Sequence, residues 1–100
     1  MIKIAEYKEL ILAKEFFKAH EVLEEFWFPR RKQKDELTLI VKGFINAAVA
    51  FELKKRGKEQ RALQVWQTYK KFAKKIDSSK KDDFYHLALF IDSYASKYLL

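Results

Sequence analysis

The run His20-Glu21-Val22-Leu23-Glu24-Glu25, followed by Trp27, holds the residues of this chain best suited to chemistry. At helical spacing His20 and Glu24 are neighbours, as are Glu21 and Glu24, and Glu21 and Glu25. An imidazole and three carboxylates therefore lie on adjoining faces within about one and a half turns. Metal centres in helical bundles are assembled from such sets, with inward-projecting carboxylates and a histidine one turn away. The pattern His20-Glu21-x-x-Glu24 also partly matches the zinc-protease helix, but the second histidine is missing and with it one strong ligand. The other histidine, His86, follows Asp82 and Asp83, and Asp83 and His86 are three apart. A composite divalent-metal site drawn from His20, Glu21, Glu24, Asp83 and His86 is one reading of these residues.

A structural reading competes with it. His20 shares a stripe of 3–4 spacing with Phe16, Leu23 and Trp27, so a half-buried histidine bonded to a carboxylate or to the third helix accounts for the same pattern. Glu24 and Glu25 can equally cap, pair with Lys or face water. General acid–base work needs a pocket as well as the right side chains.

The elements that must hold this cluster are helices. One hundred residues make a single domain over 1–100. Two Gly and one Pro are too few for the tight turns of an all-β fold, so the expectation is an all-α bundle of about five helices with short connections. A chain this short buries only roughly two-thirds of its unfolded surface, so its nine Phe, five Tyr and two Trp must carry much of the core. There is no cysteine, which excludes disulfides, thiolate zinc sites, iron–sulfur clusters and cysteine nucleophiles. The first residues lead into charged sequence without the apolar run of a signal peptide, and a cytoplasmic protein is expected. The most apolar stretch, Leu37 to Phe51, is interrupted by Lys42 and Asn46 and is too short to cross a bilayer; neither a membrane span nor a membrane partner is expected.

Periodicity places helix one over Ile4 to Ala13 and helix two over Glu15 to Phe28, with Pro29 ending the latter. Asp35 is the expected N-cap of helix three, which runs to about Arg56 and is apolar on nearly every face, the mark of a buried central helix. Gly43, Ala47 and Ala50 form a small-residue strip open to close approach, and Gly57 supplies a left-handed cap. Helix four covers Lys58 to Ile76 and buries Leu63 among others; helix five covers Asp83 to Tyr98 behind the cap Asp82. The expected packing centres on Phe16, Leu23, Trp27, Phe44, Ile45, Ala48, Trp66 and Ile91.

Charge is unevenly placed. Residues 1–28 hold four Lys against six Glu, residues 29–81 hold sixteen Lys and Arg against five acids, and residues 82–100 hold one Lys against three Asp. Arg30, Arg31, Lys32 and Lys34 would form a phosphate-attracting patch with Lys54, Lys55, Arg56 and Lys58 if the loop and the end of helix three met. An acidic protein partner would serve such a patch equally well, and a merely solvated face explains it without any partner.

The segment Phe16-Phe17-Lys18-Ala19-His20-Glu21-Val22-Leu23-Glu24-Glu25-Phe26-Trp27 resembles the signature of the domain of unknown function 309 family, an aromatic pair followed by Ala-His-Glu-Val-Leu-Glu and a Trp. Lys42 to Ala50 is similar to that family's Gly-containing, Ala-rich central helix, and Arg56-Gly57 to its following turn. The resemblance covers roughly residues 7 to 66. It implies a compact all-α fold, a break near Lys14 where many relatives have Gly, and a polar partner for His20 from helix three at Asn46; Lys42 stands where an amide is common. It implies no reaction. The expected function is therefore a small non-enzymatic binding module whose polar cluster is His20, Glu21, Glu24, Glu25, Trp27 and Asn46. The alternatives are a metal-dependent enzyme built on His20, Glu21 and Glu24, and a nucleic-acid binder acting through Arg30, Arg31, Lys54 and Arg56.

Overall fold

Two carboxylates start helices where the sequence places caps. Asp35 Oδ1 accepts from the Thr38 N–H at 2.9 Å, and Asp82 Oδ1 from the Tyr85 N–H at 3.0 Å. They open the third and fifth of five α-helices in a computed structural model that describes residues 2–100. The helices are α1 (Ile4–Leu12), α2 (Phe16–Trp27), α3 (Glu36–Lys55), α4 (Glu59–Ala73) and α5 (Asp83–Tyr98). Pro29 does not stop the chain at once: α2 runs on into a single 3-10 turn, Phe28–Arg30, where a proline near the first position forfeits no helical hydrogen bond. None of the described helices is long and apolar enough to cross a membrane.

α1 and α3 end in the same way. Past α3, the Lys58 N–H reaches Leu53 O at 2.9 Å and the Gly57 N–H reaches Lys54 O at 3.0 Å, with Gly57 at φ 79°. Past α1, the Glu15 N–H reaches Leu10 O at 2.9 Å and the Lys14 N–H reaches Ile11 O at 3.0 Å, with Lys14 at φ 58°. Both are Schellman caps, and the left-handed position belongs by preference to Gly. The expected break near Lys14 is thus present although a lysine occupies it. Lys55 Nζ donates to the Lys14 carbonyl at 2.9 Å and so ties this turn to the end of α3.

α3 is the axis of the bundle. Gly43 lies so close to α4 that a β-carbon built on it would stand 2.9 Å from Phe72 Cβ. Around α3 the aromatics interlock: Phe16 meets Phe51 (ring centroids 5.6 Å) and Tyr98 (5.4 Å), and Phe44 meets Tyr69 (5.7 Å) and Phe84 (6.3 Å). The Tyr7 hydroxyl donates to Phe44 O at 2.7 Å from α1, and the Tyr69 hydroxyl to Asp92 at 3.1 Å across α4 and α5. Phe16, Leu23, Phe44, Ile45, Ala48, Trp66 and Ile91 are buried as expected. Two expectations need correcting. Leu63 is 42% exposed, because it falls off the Ala62–Trp66–Tyr69 face that α4 turns inward. Trp27 packs at the margin of the core, half-buried, on the side of α2 that faces Lys42.

Candidate functional site

α2 and α3 form an antiparallel helical hairpin, and its outer seam is lined by the residues the sequence singles out. At one end Lys42 Nζ sits 4.2 Å above the Trp27 ring. At the other, Phe17 and His20 of α2 and Val49, Glu52, Leu53 and Arg56 of α3 enclose a cleft of about 190 Å³. α2 sorts its side chains by angle. Phe16, Ala19 and Leu23 turn to the core, while His20 and Glu24 are half-buried on the α3 side and Glu21 and Glu25 lie exposed. The three carboxylates of the sequence cluster are therefore separated. Only Glu24 accompanies His20, and Glu25 reaches back to Lys3 at 3.4 Å.

His20 is held on both sides of its ring. Nε2 meets the Glu24 carboxylate one turn on, and Nδ1 lies 3.3 Å from Phe17 O. The ring also packs against Phe17, with centroids 5.4 Å apart. Across the cleft, Arg56 Nε donates to Glu52 Oε2 at 2.7 Å. His20, Glu52 and Arg56 thus each make a polar contact with a residue three or four positions away. Asn46, expected to meet His20 from α3, instead donates its Nδ2 to Lys42 O at 3.0 Å. Its short side chain bonds its own helix one turn back, and Glu24 fills the place beside His20.

The composite metal set is not assembled. His86 and Asp83 are exposed at the start of α5, where His86 packs against Tyr85 (5.3 Å), and they line no part of the cleft. Among the described residues no group of three or more His, Asp or Glu side chains is gathered to hold an ion. The residues His20 and Glu24 supply two ligands, and even a catalytic zinc takes three from protein.

The joint basic patch is not assembled either. Trp27 lies level with Lys42, and His20 level with Val49 and Leu53, so Arg30 and Arg31 sit where α3 begins. Lys54 and Arg56 sit where it finishes, and α3 is about 30 Å long at its 1.5 Å rise per residue. Lys54 pairs with Glu59 at 2.6 Å and Arg56 with Glu52. The Lys54 ammonium is also the cause that holds the Glu59 carboxyl below its usual range.

Four residues of the cleft were not among the sequence candidates: Phe17, Val49, Glu52 and Leu53. A signal existed, since Lys42, Asn46, Val49 and Leu53 recur at 3–4 spacing. It is masked because α3 is apolar on nearly every face, so no stripe stands out. A wider depression of about 660 Å³ lies over the start of α4 (Gly57, Lys58, Glu59, Arg61), but it is open and, glycine aside, lined by charged and amide residues, with no aliphatic or aromatic side chain to retain a ligand.

The family model described as Domain of unknown function (DUF309) matches residues 4–65, which span α1 to α3 and the first part of α4 and include the whole cleft. No curated protein and no solved structure matches the chain. The break at Lys14, the buried central α3 with Gly43 against α4, and the His20–Glu24 seam all fall inside the matched span, and the chain belongs to the DUF309 family.

Proposed function

We propose that the chain is a small non-enzymatic binding module whose α2–α3 cleft takes one large apolar side chain of a partner protein. The observation that carries this reading is the pairing at the rim: His20 with Glu24, and Arg56 with Glu52. The ionisable groups of the rim are thus drawn to one another, and the surface they leave inside the cleft is mainly apolar. What lacks a partner is apolar surface, namely Val49, Leu53 and the ring of Phe17, which is 55% exposed. An apolar cavity of about 150 Å³ is enough to bind benzene, so a cleft of about 190 Å³ holds a ring or a branched aliphatic group. An apolar anchor inside a ring of polar contacts is the usual arrangement at interface hot spots. His20 Nε2 is paired with Glu24 and Nδ1 is turned toward Phe17 O of its own helix, so neither ring nitrogen is aimed into the cleft. The cysteine-free sequence suits the cytoplasmic setting expected for such a module.

Thermal melts separate this reading from metal chemistry. N-acetyl-phenylalaninamide is the probe for the cleft; Zn²⁺, Mn²⁺, Fe²⁺ and Ni²⁺, each against a chelator control, probe the histidine. A ligand of the native state at a hundred times its Kd stabilises by about 2.7 kcal/mol, which raises Tm by more than about 5 °C in a domain of this size. The reading predicts a rise with the phenylalanine amide that is lost in Val49→Trp, where the new ring fills the cleft. A metal-specific rise abolished by His20→Ala, with no response to the amide, would overturn it.

A further inference from the structure

We propose a second site, at the turn between α2 and α3: a docking tip for the anionic face of a lipid bilayer. The segment Phe26-Trp27-Phe28-Pro29-Arg30-Arg31-Lys32-Gln33-Lys34 sets three aromatics before four cations. The structure gathers them in one turn. The Arg30 guanidinium lies 4.0 Å from the Phe26 ring centroid and donates to Phe26 O at 3.0 Å. The Arg31 guanidinium lies 3.9 Å from the Phe28 ring centroid and donates to Phe28 O at 2.7 Å. Both arginines are thus held on rings and carbonyls. Among the described residues, none of Arg30, Arg31, Lys32 and Lys34 makes an ion pair. Of the two acids that follow, Asp35 caps the Thr38 N–H and also lies within reach of the Arg30 charge, and Glu36 begins α3, so the tip holds four cations against two acids.

Apolar surface sits in the same place. Phe28 is 53% exposed and Leu37 39% exposed. Exposed aromatics enter the interfacial layer of a bilayer, and basic residues next to them are drawn to anionic headgroups. A guanidinium stacked on a ring keeps its charge as that ring leaves water. The basic stretch at and just beyond the end of α4 (Lys70, Lys71, Lys74, Lys75) has charge without such an apolar partner, the nearest large exposed apolar residue of that helix being Leu63, about two turns before Lys70.

The occupant follows from shape and charge together. A nucleic-acid strand laid along the hairpin would leave the tip cations and run past Glu21, Glu24 and Glu25 of α2, which repel phosphates. A charged plane met tip-first touches the cations and Phe28, while α2 rises away from it. Glu21 lies about 10 Å up the helix axis from Phe28, beyond one Debye length of about 8 Å at physiological salt. Glu24 and Glu25 lie about 5–6 Å up, and Glu25 is paired with Lys3.

Flotation of the full chain with phosphatidylcholine vesicles, with and without phosphatidylserine, tests this. Binding is expected only with phosphatidylserine and should weaken as salt rises. Arg30→Glu with Arg31→Glu should lower the partition coefficient roughly twenty-fold or more. Lys32→Glu with Lys34→Glu, at exposed positions with no side-chain hydrogen bond or ion pair among the described residues, should act in the same direction and guards against misfolding of the first variant. Phe28→Ser should weaken binding with little change in salt dependence, and Lys70→Glu with Lys71→Glu should leave it unaltered. Equal partition into both vesicle types would overturn the proposal. So would loss of binding in the α4 variant alone, or tip-dependent binding to a single-stranded oligonucleotide without vesicle binding.

Discussion

The hydroxyl of Tyr7 donates a 2.7 Å hydrogen bond to the carbonyl of Phe44, fastening α1 to the middle of α3. Both residues are fully or almost fully buried. Tyr7→Phe removes the donor but leaves the Phe44 carbonyl its helical partner, so the expected loss is about 1 kcal/mol in chemical denaturation. Burial, and after it the nearby Tyr69, push the Tyr7 phenol well above its ordinary value. Its folded-state value is raised, so its contribution is complete below the unfolded value of about 10 and is lost as pH climbs above that. Melts at neutral and alkaline pH should therefore show the native chain's lead over Tyr7→Phe shrinking above about pH 10.

Gly43→Ala tests the contact between α3 and α4. A methyl group in mid-helix gains up to about 1 kcal/mol of propensity. Here it would sit 2.9 Å from Phe72 Cβ, an atom fixed to the α4 backbone that cannot rotate away. Overpacking of this kind costs typically 1–3 kcal/mol. The clash should win, giving a net loss of about 1 kcal/mol, measured as a lower denaturation midpoint with an unchanged slope. A more stable variant would show that α4 shifts freely.

Lys14→Gly should act in the opposite direction. An L-residue in the left-handed region costs roughly 1–2 kcal/mol, and Gly in its place adds back about 0.5–1 kcal/mol of unfolded-chain entropy. A small gain of about 0.5 kcal/mol is expected. Lys14 also stands 5.3 Å from the Tyr98 ring centroid, an exposed contact too weak to reverse the sign.

His20→Ala distinguishes an accessible site from core architecture. His20 and Glu24 are 20% and 33% exposed, so their pair is partly screened by water. A loss of about 1 kcal/mol is expected on unfolding. Leu23→Ala, three residues on and 1% exposed, should cost about 2–5 kcal/mol. Equal losses at the two positions would make His20 part of the core instead.

The fold was readable because its signals are local. Asp35, Asp82 and Gly57 mark helix ends through hydrogen bonds to residues within one turn, and the burial of α3 follows from apolar residues on nearly all its faces. Lys14 was harder, since the left-handed turn there carries no Gly and rests partly on Lys55, 41 residues away. The His20–Glu24 pair is local and was legible from spacing. Its surroundings were not: which residues of α3 face α2 depends on how two helices rotate against each other. For the same reason Asn46, Asp83 and His86 looked like partners of His20, yet the bundle turns each of them elsewhere.

The most direct test of the cleft is a ¹H–¹³C methyl and ¹H–¹⁵N amide NMR titration with N-acetyl-phenylalaninamide, using N-acetyl-alaninamide as the control. The account predicts shifts confined to Phe17, His20, Val49 and Leu53, caused by the phenylalanine amide and absent with the alanine amide and in Val49→Trp. Shifts scattered over the exposed residues of α4 and α5, or equal responses to both amides, would contradict the claim that this seam is a binding site for an apolar side chain.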